Sequence, residues 1–367
     1  MSDLTNRTMQ TGAHCLQGVK PLVANAGLSS RGMALHGTGF IVTPAEAEAL
    51  GLGTRHGLEA HIRPYRNGRD LTATRRDVMV IDLFGVEASE VQERFPEVYQ
   101  HLLRTVKQAR QAQFDRSPTR DAKHYLERWW LHGRPREELR PALRGLRRYI
   151  ITVETAIYRI FQFLDGAILP DNRLVCIASD DAFILGVLSS KVHFLWTLRA
   201  GGALDDRLIY TKSACFDPFP FPACSETLKG LIRAAAEELD ALRKLSKAKN
   251  PRLTLTQIYD VLEILRSGES LDNDEFSEAI SSQGHVAVLR ELHDKLDTLV
   301  MAAYGWTDCP SNEDIISRLV KLNDERTLEE KTGHMRWLRP DYQVGRYSSA
   351  AERARLVLDK TKARQDN

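Results

Sequence analysis

Short apolar runs separated by polar turns dominate residues 1–222, and this pattern favours strands. The run VMVIDLF at residues 78–84 predicts one strand. Residues 149–153 and 157–164 predict two more, the second with apolar and polar side chains in alternation. The apolar run at residues 174–178 predicts a further strand.

A helical pattern interrupts these strands once. Val98, Leu102 and Val106 recur every four residues, which predicts one apolar helix face continuing to Arg110. The polar residues 111–123 that follow predict a loop.

A second helix is predicted after the strand at 174–178. Ser179 or Asp180 offers an N-cap, the apolar run continues to about Arg199, and Gly201 and Gly202 end it. The Asn67-Gly68 pair earlier in the chain is typical of a tight hairpin turn.

Helical periodicity is nearly continuous after residue 222. The predicted helices begin after Pro222, cover residues 255–265 up to Gly268 and residues 285–304, and continue from a cap at Ser311 or Asn312 over residues 313–330. The fold class is therefore α+β, a mixed strand and helix domain followed by an all-α domain. The predicted boundaries are 1–222, 223–306, and 307–367 for a charged helix with a polar tail.

The net charge of +2 over 367 residues conceals an uneven distribution. Residues 1–222 contain 29 basic and 24 acidic residues, a net charge of +5, whereas residues 223–367 carry −3. Residues 104–148 alone contain 13 basic and 5 acidic side chains. A basic excess of this kind favours a polyanionic partner.

Cysteine spacing and hydropathy predict a cytoplasmic location. The five cysteines form no CxxC pair, which favours reduced thiols over a zinc site or disulfides. The N-terminus lacks the apolar core of a secretory signal, and charged residues interrupt the longest apolar run, so no membrane partner is expected.

Arginines cluster around the Asn67-Gly68 turn. Arg63, Arg66 and Arg69 on one short loop suit phosphate contacts, because charge-assisted hydrogen bonds need donors held close together. An equally good interpretation is a solvated hairpin whose arginines pair with Asp70 and Asp77.

A second polar group lies on the strands predicted around residues 149–164. Arg, Glu and Gln side chains can read base edges in the major groove of DNA, and a strand ribbon fits that groove. The alternative is that the outward face of any strand pair is polar. The group comprises Arg147, Arg148, Glu154, Arg159 and Gln162.

No catalytic motif emerges from the sequence. Asp217-Pro218-Phe219-Pro220 is related to the Asn/Asp-Pro-Pro-Tyr/Phe loop of amino-methyltransferases, but the paired prolines are missing. We interpret residues 216–222 as a rigid exit from the domain. The histidines show no metal-ligand spacing on a helix, and the sequence contains no convincing nuclease pattern.

Several strings together resemble the MmeI-like enzymes, the single-chain type IIL restriction–modification family. They span residues 28–222 in the family's order and include SRGMALHGTGFIVTPAEAEAL, RPYRNGRDLT, FPEVYQHLL, ERWW, RYIITVET, IASDDAFILGVLSSKVHFLW and CFDPFPFP. The segments YGW, LVKLNDER and RWLRPDYQ are similar to the helical C-terminal region of the same enzymes.

The resemblance implies a sequence-specific target recognition domain without its adenine-N6 methyltransferase. It places base-reading residues in the stretch that matches residues 149–163, with Glu154, Tyr158 and Arg159 as candidates. Double-stranded DNA would be the ligand, with phosphate contacts from Arg63, Arg66, Arg69, Arg147, Arg148 and Lys212.

Catalysis would then belong to a partner. We expect no cofactor in this chain and S-adenosylmethionine on a separately encoded methyltransferase or nuclease subunit. The chain would be a specificity subunit, a remnant of a broken enzyme, or a free-standing DNA-binding protein. A protein-interaction role for the helical part, and methyltransferase activity of the chain itself, are the alternatives.

Overall fold

The computed structural model describes residues 16, 18–204, 207–269, 275–350 and 352–353. Eleven short strands in this part of the chain form three sheets. They are β1 Ser29–Arg31, β2 Ile41–Val42, β3 Ile62–Arg66, β4 Met79–Ile81, β5 Arg148–Val153, β6 Thr155–Ala156, β7 Gln162–Asp165, β8 Leu169–Pro170, β9 Leu174–Ile177, β10 Gly202–Leu204 and β11 Arg207–Ile209.

The central sheet separates two hydrophobic cores. Its order is β1-β9-β5-β7, and every neighbouring pair is antiparallel. Because successive side chains of a strand point to opposite faces, Ile150 enters the core shared with the C-terminal helices, while Tyr149 and Ile151 enter the other core. This sheet therefore joins the strand-bearing and helical parts of the chain.

Two further sheets accompany the central one. One has the order β2-β4-β3-β8 and covers the core on the Tyr149 side. The other is a ribbon of order β10-β11-β6, in which Leu208 lies opposite Ala156. Since β6 begins two residues after β5 ends, this ribbon continues from the end of β5 at Val153.

Nine α-helices belong to the described residues before 223. They are α1 Pro44–Ala49, α2 Gly68–Thr72, α3 Ala88–Arg94, α4 Pro96–Leu102, α5 Gln108–Arg116, α6 Arg120–Glu127, α7 Leu139–Leu143, α8 Ala182–Ser189 and α9 Lys191–Ala200. A π-helical turn at Leu103–Lys107 joins α4 to α5, so the predicted helix through Arg110 is confirmed.

The prediction of a loop at residues 111–123 is wrong, because α5 and α6 occupy most of this segment. Thr119 caps α6 by accepting a hydrogen bond from the backbone amide of Ala122. Arg110 is buried and donates to backbone carbonyls on both sides, including those of Leu35 and Tyr125. A tertiary contact of this kind leaves no periodic signal in the sequence.

Two further local predictions need correction. The strand predicted at 157–164 is confined to Gln162–Asp165, because Arg159 and Phe161 turn inward before it. The predicted hairpin turn at Asn67 is instead the start of α2. Asn67 Oδ1 accepts from the amide of Asp70, and the Asp70 carboxylate accepts from the amide of Asn67, which forms a capping box.

The long helix predicted after residue 179 is divided into α8 and α9. Asp181, rather than Ser179 or Asp180, provides the N-cap by accepting from the amide of Phe183. The first helix ends at Ser190, whose backbone is extended. Every residue of α8 from Ala182 to Leu188 is buried, so apolar periodicity alone could not define its ends.

After residue 222, the only regular elements of the described chain are α-helices. They are α10 Glu226–Lys249, α11 Leu255–Ser267, α12 Glu275–Gly284, α13 Val286–Ala303, α14 Asn312–Lys331 and α15 Pro340–Tyr347. The predicted stop at Gly268 and the predicted cap at Ser311 are confirmed. The predicted α+β fold class is therefore confirmed. Within the described residues, no helix combines the length and the apolar character that crossing a bilayer requires.

Candidate nucleic-acid interface

The end of β5 carries a buried carboxylate between two exposed guanidiniums. Glu154 is 4% exposed, and its carboxylate pairs with Arg31 at the end of β1 and lies 3.7 Å from Nη1 of Arg173, just before β9. A buried carboxylate is stable only with such cationic partners. The two arginine side chains remain 49% and 74% exposed, so both keep donors in solvent.

A second carboxylate organises the loop beside this group. Asp70 accepts from Nε and Nη2 of Arg76 at 3.0 and 2.9 Å, and from the Arg76 amide. Burial opposes ionisation of Asp70, but the hydrogen bonds from Arg76 and Asn67 outweigh it and hold the pKa of this carboxyl below its usual value. The loop after α2 is thereby fixed with Arg76 half-exposed.

Packing brings α2 to the end of β5. A Cβ added to Gly68 would lie 3.0 Å from Cγ1 of Val153, so Gly68 allows the close approach. We call the exposed arginines gathered here the β5-end surface, which comprises Arg31, Arg69, Arg75, Arg76 and Arg173.

The carboxylates next to the β5-end surface are either buried beneath it or form exposed ion pairs with its arginines. Asp77 is exposed and lies 3.2 Å from Nε of Arg75, a surface pair of small energetic value. Among the described residues, Arg69 has no carboxylate within 4.0 Å. The arrangement can therefore present several cationic donors to a polyanion, as phosphate recognition requires.

Three of the predicted phosphate contacts lie at the opposite end of β5. Arg63 donates to the carbonyls of Gly166 and Ala167, and Arg148 pairs with Glu237 at 2.8 Å. Arg147 is exposed beside the same turn. Five residue steps separate the two ends of β5, roughly 17 Å at the usual rise. The structure therefore places the predicted arginines in two groups.

Arg66 and Arg159 face the protein interior. Arg66 is 4% exposed, and Nη1 donates to the carbonyl of Tyr65 at 2.8 Å. Arg159 donates to Oγ1 of Thr152 and to the carbonyls of Val153 and Leu208. Burial lowers the pKa of Arg159 to about 10. In this conformation, neither guanidinium is free to contact a base.

The remaining predicted contacts have protein partners nearby. The Tyr158 hydroxyl donates to Asp260 on α11 at 2.7 Å, and Lys212 pairs with Asp217 at 2.6 Å. Gln162 is partly buried opposite Ile151 in the central sheet. Of these three, Lys212 keeps the most exposed side chain, at 44%.

The segment Asp217–Pro222 is held by donors from both ends of the chain. Asn25 Nδ2 donates to the carbonyls of Phe216, Asp217 and Phe219, at 3.1, 2.9 and 2.8 Å. Asn323 on α14 donates to the carbonyl of Pro218 at 2.6 Å. These contacts occupy the backbone of the segment in a structural role, which supports its interpretation as a rigid exit.

No cluster of three or more His, Cys, Asp or Glu side chains with metal-binding geometry occurs among the described residues. Buried polar side chains elsewhere in the protein make hydrogen bonds within the core. For example, His193 bonds to the hydroxyl of Tyr210 at 3.1 Å, and burial lowers the pKa of His193 to about 3.

Sequence reasoning missed Arg31 and Arg173 because they are far apart along the chain. The antiparallel pairing of β1 with β9 brings them to the same carboxylate. Arg75 and Arg76 follow the Asn67-Gly68 turn closely in the sequence, whereas a lone arginine at a strand end carries no distinguishing signal.

Comparisons with known proteins agree with this architecture. The family model "MmeI, target recognition domain" matches residues 17–223, more than half of the chain. DNA methyltransferase A of Bacillus subtilis (strain 168) is 26% identical over 156 residues, which are 42% of this chain and 15% of that protein.

A solved structure shares the fold. The type IIL restriction-modification enzyme MmeI, determined in complex with DNA, superposes with a TM-score of 0.58 at 18% identity over 84% of this chain. The chain spans 36% of the length of that enzyme and 15% of the curated relative. This protein belongs to the family defined by the MmeI target recognition domain.

Proposed function

We propose that this chain binds double-stranded DNA through the β5-end surface and selects the sequence to be modified. The observation that carries the proposal is the set of five exposed arginines at the end of β5, two of which pair with the buried Glu154. Cationic donors fixed on strand ends and a capped helix can hold phosphates in one register. The structural relative MmeI was determined in complex with DNA, which supports the same class of ligand.

The chemistry is proposed to reside on a separately encoded methyltransferase. S-adenosylmethionine would bind to that partner, and adenine-N6 methylation would be its reaction. Membership of the recognition-domain family and the similarity to DNA methyltransferase A support the recognition role that this division gives to the chain.

In this proposal exposed side chains contact phosphates, and two of the expected base-reading residues have a supporting role instead. Arg31, Arg69, Arg75, Arg76 and Arg173 contact phosphates, and Lys212 remains a candidate. Glu154 and Arg159 act from inside the protein. Glu154 orients two of the arginines, and Arg159 supports the ribbon that follows β5.

Methylation profiling of the host genome with and without the gene tests the proposal. Loss of modification at one motif supports a specificity subunit, and the motif identifies the target. An unchanged methylome would overturn the claim that the chain directs a methyltransferase.

Charge reversal separates DNA binding from a protein-interaction role. The R69E/R173E double variant of the full-length chain should bind duplex DNA at least about tenfold more weakly at moderate salt. A protein-interaction module would retain its properties in this variant, so unchanged DNA affinity would contradict the proposed interface.

A further inference from the structure

Two neighbouring helices of the C-terminal part present apolar side chains to solvent. Leu231 and Leu245 on α10 are 51% and 44% exposed, and Val288 on α13 is 48% exposed. Single apolar residues on a surface are ordinary, whereas a contiguous group on packed helices indicates a contact site for another protein surface. The relative positions of these side chains therefore decide what they imply.

Contacts between α10 and α13 show that the two helices run antiparallel. Nζ of Lys295 lies 3.5 Å from Oε2 of Glu238. Further along α10, the hydroxyl of Ser246 donates at 3.2 Å to the carbonyl of Gly284, two residues before α13 begins. Moving forward along α10 thus corresponds to moving backward along α13, with Glu238 and Lys295 at one level.

Both helices carry the same series of exposed residues on this side. The series has an apolar residue about two turns before and about two turns after a charged one. It comprises Leu231, Glu238 and Leu245 on α10, and Val288, Lys295 and Ala302 on α13. Seven residues span about 10.5 Å of helix, so the apolar ends of the two series also share levels. We call these six residues the α10–α13 face.

The strip along each series is apolar as well. Leu242 on α10, and Leu292 and Leu299 on α13, are partly exposed. Each follows a member of the α10–α13 face by four residues, which places it on the same side of its helix. Apolar residues at spacings of three and four form the seam between helices in a bundle. The α10–α13 face can therefore pack against further helices.

The charges of the α10–α13 face are complementary to themselves. When a second copy is turned about a two-fold axis parallel to the two helices, its α10 lies over α13 of the first copy. Glu238 of each copy then faces Lys295 of the other, and Leu245 of each faces Val288 of the other. A single helix of another protein would have to offer both charges at one level, whereas two-fold symmetry supplies them from one sequence.

We propose that two copies of this chain associate through the α10–α13 face and form a four-helix bundle, with the ion pairs between the copies setting the register. Antiparallel neighbours pack in this way in bundles, and paired charges beside a seam select orientation and partner. The assembly would contain two recognition domains. This association does not depend on whether the chain binds DNA, so it and the proposed function can each fail without the other.

Sedimentation of the full-length chain over a range of concentrations tests the association. The wild type should form a dimer in the micromolar range. E238K should raise the dissociation constant about tenfold or more, because it puts a second cation over Lys295 of the other copy. E325K is the matched control, since the Glu325 side chain on α14 is 56% exposed against 55% for Glu238, and it also pairs with a lysine.

Mixing two variants identifies the contact. K295E alone should weaken the dimer as E238K does, because each variant places like charges opposite each other. A mixture of E238K and K295E should associate at concentrations where neither does alone, since a mixed dimer has opposite charges at both contacts. A wild type that stays monomeric at about 100 µM would overturn the association and leave the face to a helix of another protein. A mixture no more associated than its components would overturn the α10–α13 face as the interface.

Discussion

Nη2 of the partly buried Arg159 donates a 2.7 Å hydrogen bond to the backbone carbonyl of Leu208. The same guanidinium bonds to the carbonyl of Val153, so one side chain connects the end of β5 to β11. The carbonyls that accept from this guanidinium would lose a charged donor if it were removed. The contact therefore links the central sheet to the ribbon.

Replacing Arg159 by methionine should destabilise the protein. Two partly buried carbonyls would lose their donor, and we expect the free energy of unfolding to fall by about 1–3 kcal/mol. Urea unfolding measures the change. Arg147→Met is the control, because Arg147 is exposed and should change the free energy by less than about 0.5 kcal/mol. Equal effects of the two substitutions would contradict the positioning role.

Replacing Asn25 by alanine should loosen the segment at Asp217–Pro222. Three buried carbonyls share the Asn25 amide group, so we expect a loss of about 2–3 kcal/mol in the free energy of unfolding. Thermal unfolding followed by circular dichroism measures it. Asn172→Ala, at a partly exposed turn, provides the comparison. A change no larger than that of the comparison would refute the structural role of the segment.

His193 should remain neutral far below neutral pH. Burial, and then the nearby Arg159, lower its pKa to about 3, whereas the unfolded chain has the ordinary value of about 6.5. The unfolded state therefore binds the extra proton, and the contribution to stability is lost as pH falls from about 6.5 toward 3. NMR of the imidazole should show no titration of His193 between pH 7.5 and 4.5. A midpoint near 6.5 would contradict its burial.

The two ends of β5 should respond differently to charge reversal. R69E lies in the β5-end surface and should weaken duplex binding roughly threefold or more at moderate salt. R147E, at the other end of β5, makes the same change in net charge and should have a smaller effect. Fluorescence anisotropy with one labelled duplex compares them. Equal losses would show that net charge, and not the position of the arginine, sets the affinity.

Local signals in the sequence predicted four of the six α-helices that the described residues form after residue 222, and missed α12 and α15. Gly268 adopts a left-handed conformation at the end of α11, with φ of 80°, and Ser311 forms a capping box with Asp314. Such signals involve residues three or four positions apart, and the sequence displays them directly. The apolar periodicity of α10 and α13 is equally local.

Elsewhere, the orientation of side chains depends on contacts between residues that are far apart in the sequence, and these contacts could not be predicted. Arginine is a residue type that often reads bases, but the side chain of Arg159 lies between the strand end at Val153 and the ribbon at Leu208. Glu154 is similarly enclosed by Arg31 and Arg173. The type of side chain suggested a class of chemistry, whereas its direction depended on sheet pairing that the sequence does not show.

The salt dependence of duplex binding by the full-length wild-type chain tests the central claim most directly. With roughly five phosphate contacts from the β5-end surface, the logarithm of the association constant should fall against the logarithm of salt concentration with a slope of about −4 to −5. In R69E/R173E the slope should become shallower by about 2. A slope shallower than about −1 in the wild type would contradict DNA binding through this surface.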